Sequence, residues 1–396
     1  MPTSSFLAAV KRASDVVRSG RWSNVALVYH DDADGLSSAA ILVDALEKLG
    51  LSPRLICLER LSLSALRLLH KEPFDLLIYA DIASPHADLI EKMLSDEVVV
   101  ILDHHNTSYP GSRVLNVNPE LHGFRGEVDA SGSIVAYLFA KELVGSSLPH
   151  IALIGAHELP RMDGVFTKLV FDEALSSGEV KKSGKQLLST SLGMPLSKAF
   201  SMLQVLGPVG YYRGGPEAGI KALLEGFSSR VAAMVESFRN ERKKAFKRLI
   251  AILARKGLSS TDSIQYFNAG RIFKGMGSKV IGSFCSMLSN YKLVDQDKYL
   301  LGVMELEPLI PGLGEHGRGL LKASMRAPRE LRRRIESGDK PPISLVISAA
   351  AKAAGELGDG HDFAGSAILL RGMLHRFLEE AERKIAGWSL GKGFQQ

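Results

Sequence analysis

At roughly 100–200 residues per domain, a chain of 396 residues has room for two or three domains. Hydrophobic residues make up 45% of it and charged residues 23%, which excludes a disordered or collagen-like chain. The net charge of +6 fits a partner that carries phosphates, but a basic excess alone does not identify one.

The cysteines and the apolar runs indicate a cytoplasmic protein. Cys57 and Cys285 lie far apart without CxxC spacing, so we expect neither a disulfide scaffold nor a cysteine-based zinc site, and a reducing cytosol is the default. Apolar runs stay shorter than the roughly 18 residues that span a bilayer, so no membrane association is expected. The first 20 residues carry charges throughout and lack the core of a signal peptide.

The first 160 residues alternate apolar runs with helix-like stretches. Strands are predicted at Val25–His30, Arg54–Leu58, Asp75–Asp81, Val98–Asp103 and Val114–Val117. Helical periodicity falls between them, at Ala39–Leu49, Leu63–Leu69 and Asp88–Leu94. Because the runs VALVYH, LLIYAD and VVVILD are continuously apolar, they are typical of a parallel sheet covered on both faces. This order predicts a doubly wound α/β domain.

The rest of the chain is predicted to be a helical connector and then a smaller α/β domain. Residues 131–158 and 165–257 look helical, and the clearest helix spans Pro216–Lys256 with a stripe of apolar residues. The later strands are predicted at Ile264–Phe267, Tyr299–Glu305 and Leu320–Met325, and the later helices at Lys279–Leu288, Pro342–Ala354 and Ala364–Lys384. The predicted domain boundaries are 1–165, 166–257 and 258–396.

Acidic and imidazole side chains follow three of the N-terminal strands. The first strand leads into His30–Asp31–Asp32–Ala33–Asp34–Gly35, the third ends at Asp81, and the fourth ends in Asp103–His104–His105. The carboxyl ends of parallel strands meet at one edge of the sheet, so these groups should lie close together. Crowded carboxylates raise each other's pKa unless a cation neutralises them. The sequence therefore predicts bound divalent metal at this edge.

The kind and number of ligands narrow the metal site further. Mixed aspartate and histidine ligands suit manganese, zinc or iron better than calcium. The number of ligands indicates two ions, which would clamp the attacking and leaving oxygens of a phosphoryl displacement. Each element alone has another interpretation: a polar turn that caps a helix for His30–Gly35, a helix cap or buried acid for Asp81, and a buried pair for His104–His105. Their coincidence on three strand ends favours the metal site.

With His30, Asp32, Asp34, Gly35, Asp81, Asp103, His104 and His105 in this order, and Ser131–Gly132–Ser133 downstream, the sequence resembles the DHH phosphoesterase family. Further along, Asp359–Gly365 resembles the glycine–glycine–histidine motif of the DHH-associated substrate domain, and Lys322–Arg326 resembles the substrate-contacting strand of that domain. The resemblance covers roughly 20–160 and 260–385.

The resemblance implies roles for individual residues. His30, Asp32 and Asp81 would hold one metal, and Asp34, Asp81 and His104 would hold the other, with manganese as the expected ion and magnesium as the alternative. Asp103 would orient a histidine, and His105 would sit against the scissile phosphate. The family's fourth motif normally supplies an aspartate, but residues 154–160 contain none. Either Glu158 or His157 could substitute as a ligand.

The C-terminal motifs predict contacts with substrate phosphate. Gly360 beside His361 would let the backbone approach an anion, and the imidazole could donate to phosphate oxygens. Arg326 could clamp a phosphate, with Ser324 beside it on the same strand. The alternatives are a glycine turn before a helix that starts near Ala364, and a surface arginine.

Two basic runs could follow a nucleic-acid backbone. One comprises Arg239, Arg242, Lys243, Lys244, Lys247 and Arg248, and the other Arg329, Arg332, Arg333 and Arg334. A solvated helix face is the ordinary alternative for both. Phe246, within the first run, is predicted to lie in the core rather than to stack on a base.

The resemblance favours a metal-dependent exonuclease that acts on single-stranded DNA or RNA, similar to RecJ-type enzymes. In size and layout the chain is closer to compact archaeal RecJ-like proteins, some of which associate with the GINS replication complex, so a replisome partner is implied. One alternative is a small-substrate enzyme of the same family, cleaving short oligoribonucleotides, cyclic dinucleotides or 3′-phosphoadenosine phosphate. The other is a replication scaffold that has lost catalysis, a hypothesis supported only by the altered fourth motif.

Overall fold

A computed structural model describes residues 2–159, 161–315, 317 and 319–391 of the protein. These divide into two compact units. The first consists of Met1–Leu61, Leu66–Phe238 and Ile310–Gly314, and the second of Ser62–Ala65, Arg239–Leu309 and Glu315–Gln396. The three-part division predicted from the sequence stays a prediction.

A five-stranded parallel sheet forms the centre of the first unit, with strand order β2-β1-β3-β4-β5. Its strands are β1 Val25–His30, β2 Arg54–Leu58, β3 Leu76–Ala80, β4 Val98–Leu102 and β5 Leu115–Val117. Every residue of β3 is buried, as the continuous apolar run predicts. The doubly wound parallel sheet predicted from the sequence is confirmed.

Helices cover this sheet and continue beyond it. They are α1 Pro2–Ser19, α2 Ala33–Lys48, α3 Leu63–Leu69, α4 Ala87–Met93, α5 Gly126–Asp129, α6 Gly132–Val144, α7 Pro149–Gly155 and α8 Val165–Ser176. Short 3-10 turns occupy Ser84–His86, Pro119–His122 and Ala156–Glu158. Helix α2 begins six residues before the predicted start because Asp32 caps it, its carboxylate accepting from the Gly35 amide at 3.0 Å.

The middle of the chain departs from the all-helical prediction. A small antiparallel sheet forms there from β6 Val180–Ser183, β7 Gln186–Ser189 and β8 Met194–Pro195. The turn between its first two strands contains Gly184 at φ +57°, a conformation that glycine adopts without strain. The following helices are α9 Leu196–Gly210, α10 Gly215–Glu225 and α11 Ser229–Lys256, with a 3-10 turn at Tyr211–Arg213.

The single long helix predicted over Pro216–Lys256 is wrong, because the chain breaks between α10 and α11. Gly226 follows α10 with φ +100° and ψ 154°, a region open essentially to glycine alone. The periodicity of apolar residues continued across this break and concealed it.

A six-stranded mixed sheet forms the second unit, with strand order β15-β16-β14-β11-β10-β9. Its strands are β9 Ser259–Ser260, β10 Ile264–Asn268, β11 Tyr299–Glu305, β14 Leu320–Arg326, β15 Gly358–Gly360 and β16 Ala364–Leu370, and a separate two-stranded ladder pairs β12 Leu309–Ile310 with β13 Gly314–Glu315. The helices are α12 Lys279–Leu288, α13 Arg329–Glu336, α14 Ile343–Ala353 and α15 Leu374–Gly391, with a 3-10 turn at Arg371–Met373. The smaller α/β part predicted from the sequence is confirmed.

The predicted helix over Ala364–Lys384 is wrong in its first third, where the chain forms β16. This strand pairs with both β14 and β15, Ala367 lying opposite Ala323 and Gly365 opposite Gly360. Alternate residues Ala367 and Leu369 enter the hydrophobic core, so long-range strand pairing overrides the local helical pattern. Helix α15 begins only at Leu374.

The two faces of this second sheet differ in chemistry. Leu321, Ala323 and Met325 of β14 pack into a hydrophobic core with α14 and α15. The residues between them, Lys322, Ser324 and Arg326, belong to the opposite face, because successive side chains of a strand alternate. Lys322 and Ser324 are buried. No helix in the described part of the chain is long and apolar enough to cross a membrane.

Candidate metal centre

The first strand brings His30 to the carboxyl edge of the parallel sheet. Its Nδ1 atom lies 3.2 Å from Asp32 Oδ2 and 3.4 Å from Asp81 Oδ2. A Cβ atom at Gly35 would clash with the His30 carbonyl oxygen, so the glycine allows α2 to start directly against the end of β1. The sequence HDDADG thus forms both a helix cap and one wall of a site.

Asp81 lies at the centre of the cluster, immediately after β3. Its backbone is left-handed, with φ +59°, and the residue is 1% exposed. Oδ2 faces His30, while Oδ1 lies 3.3 Å from His104 Nε2 and accepts no hydrogen bond within the described part of the chain. Left-handed backbone at a residue other than glycine is strained, and here it aims the carboxylate between two imidazoles.

The residues after β4 are held by a buried carboxylate. Asp103 Oδ1 accepts from the His104 amide at 2.7 Å and lies 2.6 Å from His105 Nδ1, and Oδ2 accepts from the Ser84 amide at 2.8 Å. These bonds orient the His105 ring, which remains partly exposed. Asp103 therefore positions His105, and His105 is open to a ligand.

The second histidine is oriented by the backbone. His104 Nδ1 lies 3.2 Å from the Gly126 carbonyl oxygen, which can only accept, so Nδ1 carries the proton of that bond. In the neutral ring, Nε2 then presents a lone pair toward Asp81 Oδ1 at 3.3 Å and Asp34 Oδ2 at 3.8 Å. A lone pair facing two carboxylates is favourable when a cation lies between them.

The start of α6 holds Asp34. Its carboxylate accepts from the amides of Gly132 at 2.7 Å and Ser133 at 3.0 Å, and from the Ser131 hydroxyl at 2.9 Å. Because a helix N-terminus offers unpaired amides and favours negative charge, these contacts hold the buried Asp34 carboxylate in one orientation. The Ser131–Gly132–Ser133 motif thus orients one of the predicted ligands.

Three glycines make room for these side chains. A Cβ atom at Gly132 would lie 2.5 Å from Asp81 Oδ1, and one at Gly155 would lie 2.6 Å from Asp34 Oδ1. At Gly126 it would clash with the carbonyl oxygen of His104. The sequence analysis did not single out Gly126 or Gly155 for this role. A glycine inside or at the start of a helix was the only available signal.

The electrostatics of the cluster show carboxylates in excess. Burial raises the pKa of Asp81 well above its usual range, and the nearby carboxylates of Asp34 and Asp32 raise it further, against the contrary effect of His30. Burial also acts to raise the pKa of Asp103, but the imidazoles of His105 and His104 and the hydrogen bond from Ser84 outweigh it, so the pKa is lowered. The cost of keeping Asp81 charged would fall if a cation bound beside it.

These residues fit a divalent metal. One ligand set consists of His30, Asp32 and Asp81, and a second of Asp81, Asp103, His104 and His105, each with potential ligand atoms within 4.8 Å of one another. Asp81 is common to both. Carboxylate oxygens with imidazole nitrogens suit manganese and similar transition ions.

Of the two substitutes considered for the fourth motif, the structure describes the side chain of His157, which is not brought into these sets. The His157 ring packs edge-on against Phe200, with ring centroids 5.4 Å apart, and His157 belongs to neither ligand set. The side chain of Glu158 lies outside the described part of the structure. Two further acids lie beside the sets: Asp34 Oδ2 is 3.8 Å from His104 Nε2, and Asp31 Oδ1 is 3.6 Å from His30 Nε2.

The predicted phosphate-contacting residues of the second unit lie around β14 and β16. Arg326 is partly buried, and its guanidinium donates to Ser286 Oγ at 3.0 Å and to the Met325 carbonyl at 2.8 Å. It pairs with no carboxylate in the described part of the chain. The predicted phosphate contact of Arg326 therefore stays a prediction beside the alternative of a surface arginine.

Gly360 and His361 lie at the turn between β15 and β16. The His361 amide donates to the Ala364 carbonyl at 2.7 Å, and a Cβ atom at Gly360 would clash with that same oxygen. The turn therefore leads into a strand, and the alternative of a turn that leads into a helix near Ala364 is wrong. Close by in sequence, the Phe363 ring lies 5.5 Å from the Arg332 guanidinium.

Comparison with known proteins agrees with the motif resemblance. Residues 24–175 match the DHH family, N-terminal domain. An uncharacterized protein of Methanocaldococcus jannaschii is 31% identical over 138 residues, which cover 33% of this chain and 32% of that relative. This chain therefore matches about a third of the length of the curated relative.

Solved structures share the fold over nearly the whole chain. The crystal structure of RecJ in complex with Mn²⁺ from Thermus thermophilus superposes with a TM-score of 0.62 at 16% identity, covering 96% of this chain and 55% of that chain. A structure of exonuclease RecJ bound to manganese gives a TM-score of 0.58 at 17% identity, covering 96% and 93%. The predicted resemblance to DHH-family, RecJ-like proteins is confirmed.

Proposed function

Since residues 24–175 are a DHH-family domain, we propose that this chain is a metal-dependent phosphodiesterase that removes nucleotides from an end of single-stranded DNA or RNA. The observation that carries the proposal is the position of Asp81, whose two carboxylate oxygens each face a different imidazole. That arrangement suits two ions with Asp81 as the shared ligand, and we propose manganese for both, with magnesium as the alternative.

In the proposed site, His30, Asp32 and Asp81 would hold one ion, and Asp34, Asp81 and His104 the other. Bound divalent ions would supply Lewis-acid stabilisation of the phosphate and a water of lowered pKa. The protein's own groups fix the geometry: Gly126 orients His104, and the start of α6 orients Asp34. Because these orienting contacts are already formed, little reorganisation is needed when the ions bind.

His105 is proposed to contact the scissile phosphate. With its Nδ1 hydrogen bonded to Asp103 Oδ1, the protonated ring has one donor left, at Nε2. That donor would bind a phosphate oxygen or deliver a proton to the leaving oxygen. Asp103 holds the ring in the orientation that this role requires.

The second unit is proposed to bind the substrate through Ser324, Arg326, Gly360 and His361. Arg326 has no carboxylate partner in the described residues, so its charge is available to an anion. The small-substrate alternative remains part of the proposal, because short oligonucleotides carry the same phosphodiester. Association with a replication complex such as GINS is a further prediction of the resemblance.

Product analysis on end-labelled DNA and RNA strands of two to thirty nucleotides, with Mn²⁺ or Mg²⁺, tests the function. Stepwise shortening of long strands would support the exonuclease. Preference for two- to five-mers would support the small-substrate enzyme. Absence of cleavage on every strand, together with no Mn²⁺ binding in calorimetry, would instead support the scaffold hypothesis and refute the proposal.

A further inference from the structure

The positive charge of this protein is concentrated in the C-terminal 18 residues of α11. Eight basic residues and one acid, Glu241, lie within residues 239–256, giving a local net charge of +7. The whole chain carries +6, so the remaining 378 residues sum to −1. An 18-residue helical segment, about 27 Å long, thus accounts for the basic character of the entire chain.

These charges lie on one side of the helix. Phe246, Leu249 and Leu253 form the inward stripe, and the Phe246 ring packs against Phe273 and Phe284 at centroid distances of 5.8 and 5.1 Å. Phe246 is itself partly buried, so it packs against the buried rings of Phe273 and Phe284 rather than lying fully within the core. At 100° per residue, the opposite half of the helix carries four exposed cations: Lys243, Lys244, Lys247 and Arg248.

The four cations differ from the lysines of the other helices in having no acidic partner. Lys11, Lys48, Lys92, Lys168 and Lys221 each form an ion pair with a carboxylate four residues away, at 2.7–3.5 Å. Within the described part of the chain, Lys243, Lys244, Lys247 and Arg248 form no ion pair. Instead, Lys243 faces Lys247 and Lys244 faces Arg248 at four-residue spacing, where like charges repel. Bound anions arranged along the helix would relieve this repulsion.

We propose that this face of α11, defined by Lys243, Lys244, Lys247 and Arg248, binds the phosphate backbone of single-stranded nucleic acid. The inference rests on the proposed function for the choice of polyanion. A membrane surface is disfavoured, because a membrane-binding helix presents its apolar stripe to lipid. Here that stripe is packed against Phe273 and Phe284. The exposed arc holds no aromatic side chain, so binding depends on phosphates rather than on bases.

Binding can be measured without cleavage by fluorescence anisotropy of an end-labelled 20-nucleotide strand in EDTA at several salt concentrations. The test variant replaces Lys243, Lys244, Lys247 and Arg248 by glutamine, which favours helix about as well. The matched control replaces Lys11, Lys92, Lys168 and Lys221 by glutamine, an equal loss of charge from ion-paired positions. Circular dichroism and melting temperature verify folding of both variants.

The test variant is expected to bind at least tenfold more weakly at 0.1 M salt. The slope of log affinity against log salt should fall by up to about 2.8, since each phosphate contact to a single strand contributes about 0.7. The control variant should bind within threefold of the natural sequence. Without nucleic acid, the test variant should melt no lower than the natural protein, because repulsion along the helix is removed.

If both variants lose the same affinity for the strand, the effect comes from overall charge and the inference is overturned. Unchanged affinity of the test variant would also overturn it. Binding of both variants to polyglutamate and to anionic vesicles is measured in parallel. If the test variant loses binding to either of these but still binds nucleic acid, the face belongs to another partner and the inference is overturned. Cleavage of a dinucleotide with Mn²⁺ is assayed separately. If no substrate is cleaved while the test variant still loses strand binding, the proposed function fails and this inference stands.

Discussion

At the residue scale, the candidate site depends on Asp81. This side chain is buried, lies on left-handed backbone and faces His30 through one oxygen and His104 through the other. Burial and the neighbouring carboxylates of Asp34 and Asp32 all act to raise its pKa. An arrangement that disfavours the ionised form without a cation is typical of a metal ligand rather than of a structural acid.

Replacing Asp81 by asparagine should weaken Mn²⁺ binding about 100-fold or more, because it removes the negative charge shared by both ligand sets. Isothermal titration calorimetry measures this directly. Asp88→Asn, on an exposed helix where Asp88 pairs with Lys92, serves as the control and should leave Mn²⁺ affinity unchanged. Affinity within threefold of the natural protein in Asp81→Asn would show that Asp81 is not a ligand.

Gly132→Ala should damage the site without replacing a ligand. The added methyl group would lie 2.5 Å from Asp81 Oδ1 and 2.6 Å from Asp81 Cβ, so the carboxylate must move. We expect at least tenfold loss of Mn²⁺ affinity and about 1–3 kcal/mol lower free energy of unfolding. Gly387→Ala, within α15 and with no heavy atom within 4 Å of the added carbon, should be neutral or slightly stabilising. If Gly132→Ala and Gly387→Ala have the same Mn²⁺ affinity and the same free energy of unfolding, close packing at Gly132 does not matter for the site.

At the element scale, the long connection from β4 to β5 carries the histidine pair, and the carboxylate of Glu91 holds the later part of it. Glu91 of α4 accepts from the backbone amides of Ser112 at 2.8 Å and Arg113 at 3.0 Å, and from the hydroxyls of Ser112 and Tyr109. These contacts fix the loop that leads from His105 into β5. They also lower the pKa of Glu91 to about 2, chiefly through the bonds from Ser112.

Glu91→Gln should therefore destabilise the protein in a pH-dependent way. A carboxyl whose pKa is lower in the folded than in the unfolded state stabilises the fold above its unfolded value of about 4.3, and this stabilisation is lost as pH falls toward 2. Because the group is partly exposed to solvent, which screens its charge, we expect only about 0.5–1 kcal/mol at pH 6. Urea unfolding of the natural protein and of Glu91→Gln from pH 6 to pH 3 measures the difference in their free energies of unfolding. This difference should shrink below about pH 4.5. If the difference in free energy of unfolding is the same at every pH, the destabilisation comes from packing and not from the charge of Glu91.

At the scale of the whole molecule, ligand binding and stability are coupled. The carboxylates of Asp32, Asp34 and Asp81 repel one another in the folded state but separate on unfolding. A divalent ion that binds only the folded state stabilises it by about 2.7 kcal/mol when its concentration is 100 times Kd.

The melting temperature should accordingly rise with added Mn²⁺ and return to its starting value with EDTA. Differential scanning calorimetry measures the shift, with Asp81→Asn as the control that should respond much less. An increase of equal size in that variant would indicate ion binding elsewhere on the chain.

The sequence predicted the elements whose signal is local. The apolar runs identified all five strands of the parallel sheet within about one residue, because a strand buried on both faces needs no partner to be recognised. The errors occurred where distant residues decide the conformation. Ala364–Leu370 forms a strand because β14 and β15 pair with it, and the hairpin of β6 and β7 lies in a stretch where helical periodicity was expected.

For the candidate site, the residue types and their order along the chain were enough to predict acids and imidazoles at one sheet edge, since parallel strands place their carboxyl ends together. The tertiary structure alone decided how each group is oriented. Asp34 meets the amides of α6 across 98 residues of sequence, and Gly126 fixes His104 across 22. It likewise placed the basic residues Lys243, Lys244, Lys247 and Arg248 of α11 on an exposed face and the apolar residues of that helix on a packed stripe. Such contacts depend on distances between elements far apart in the chain, and a linear pattern carries no record of those distances.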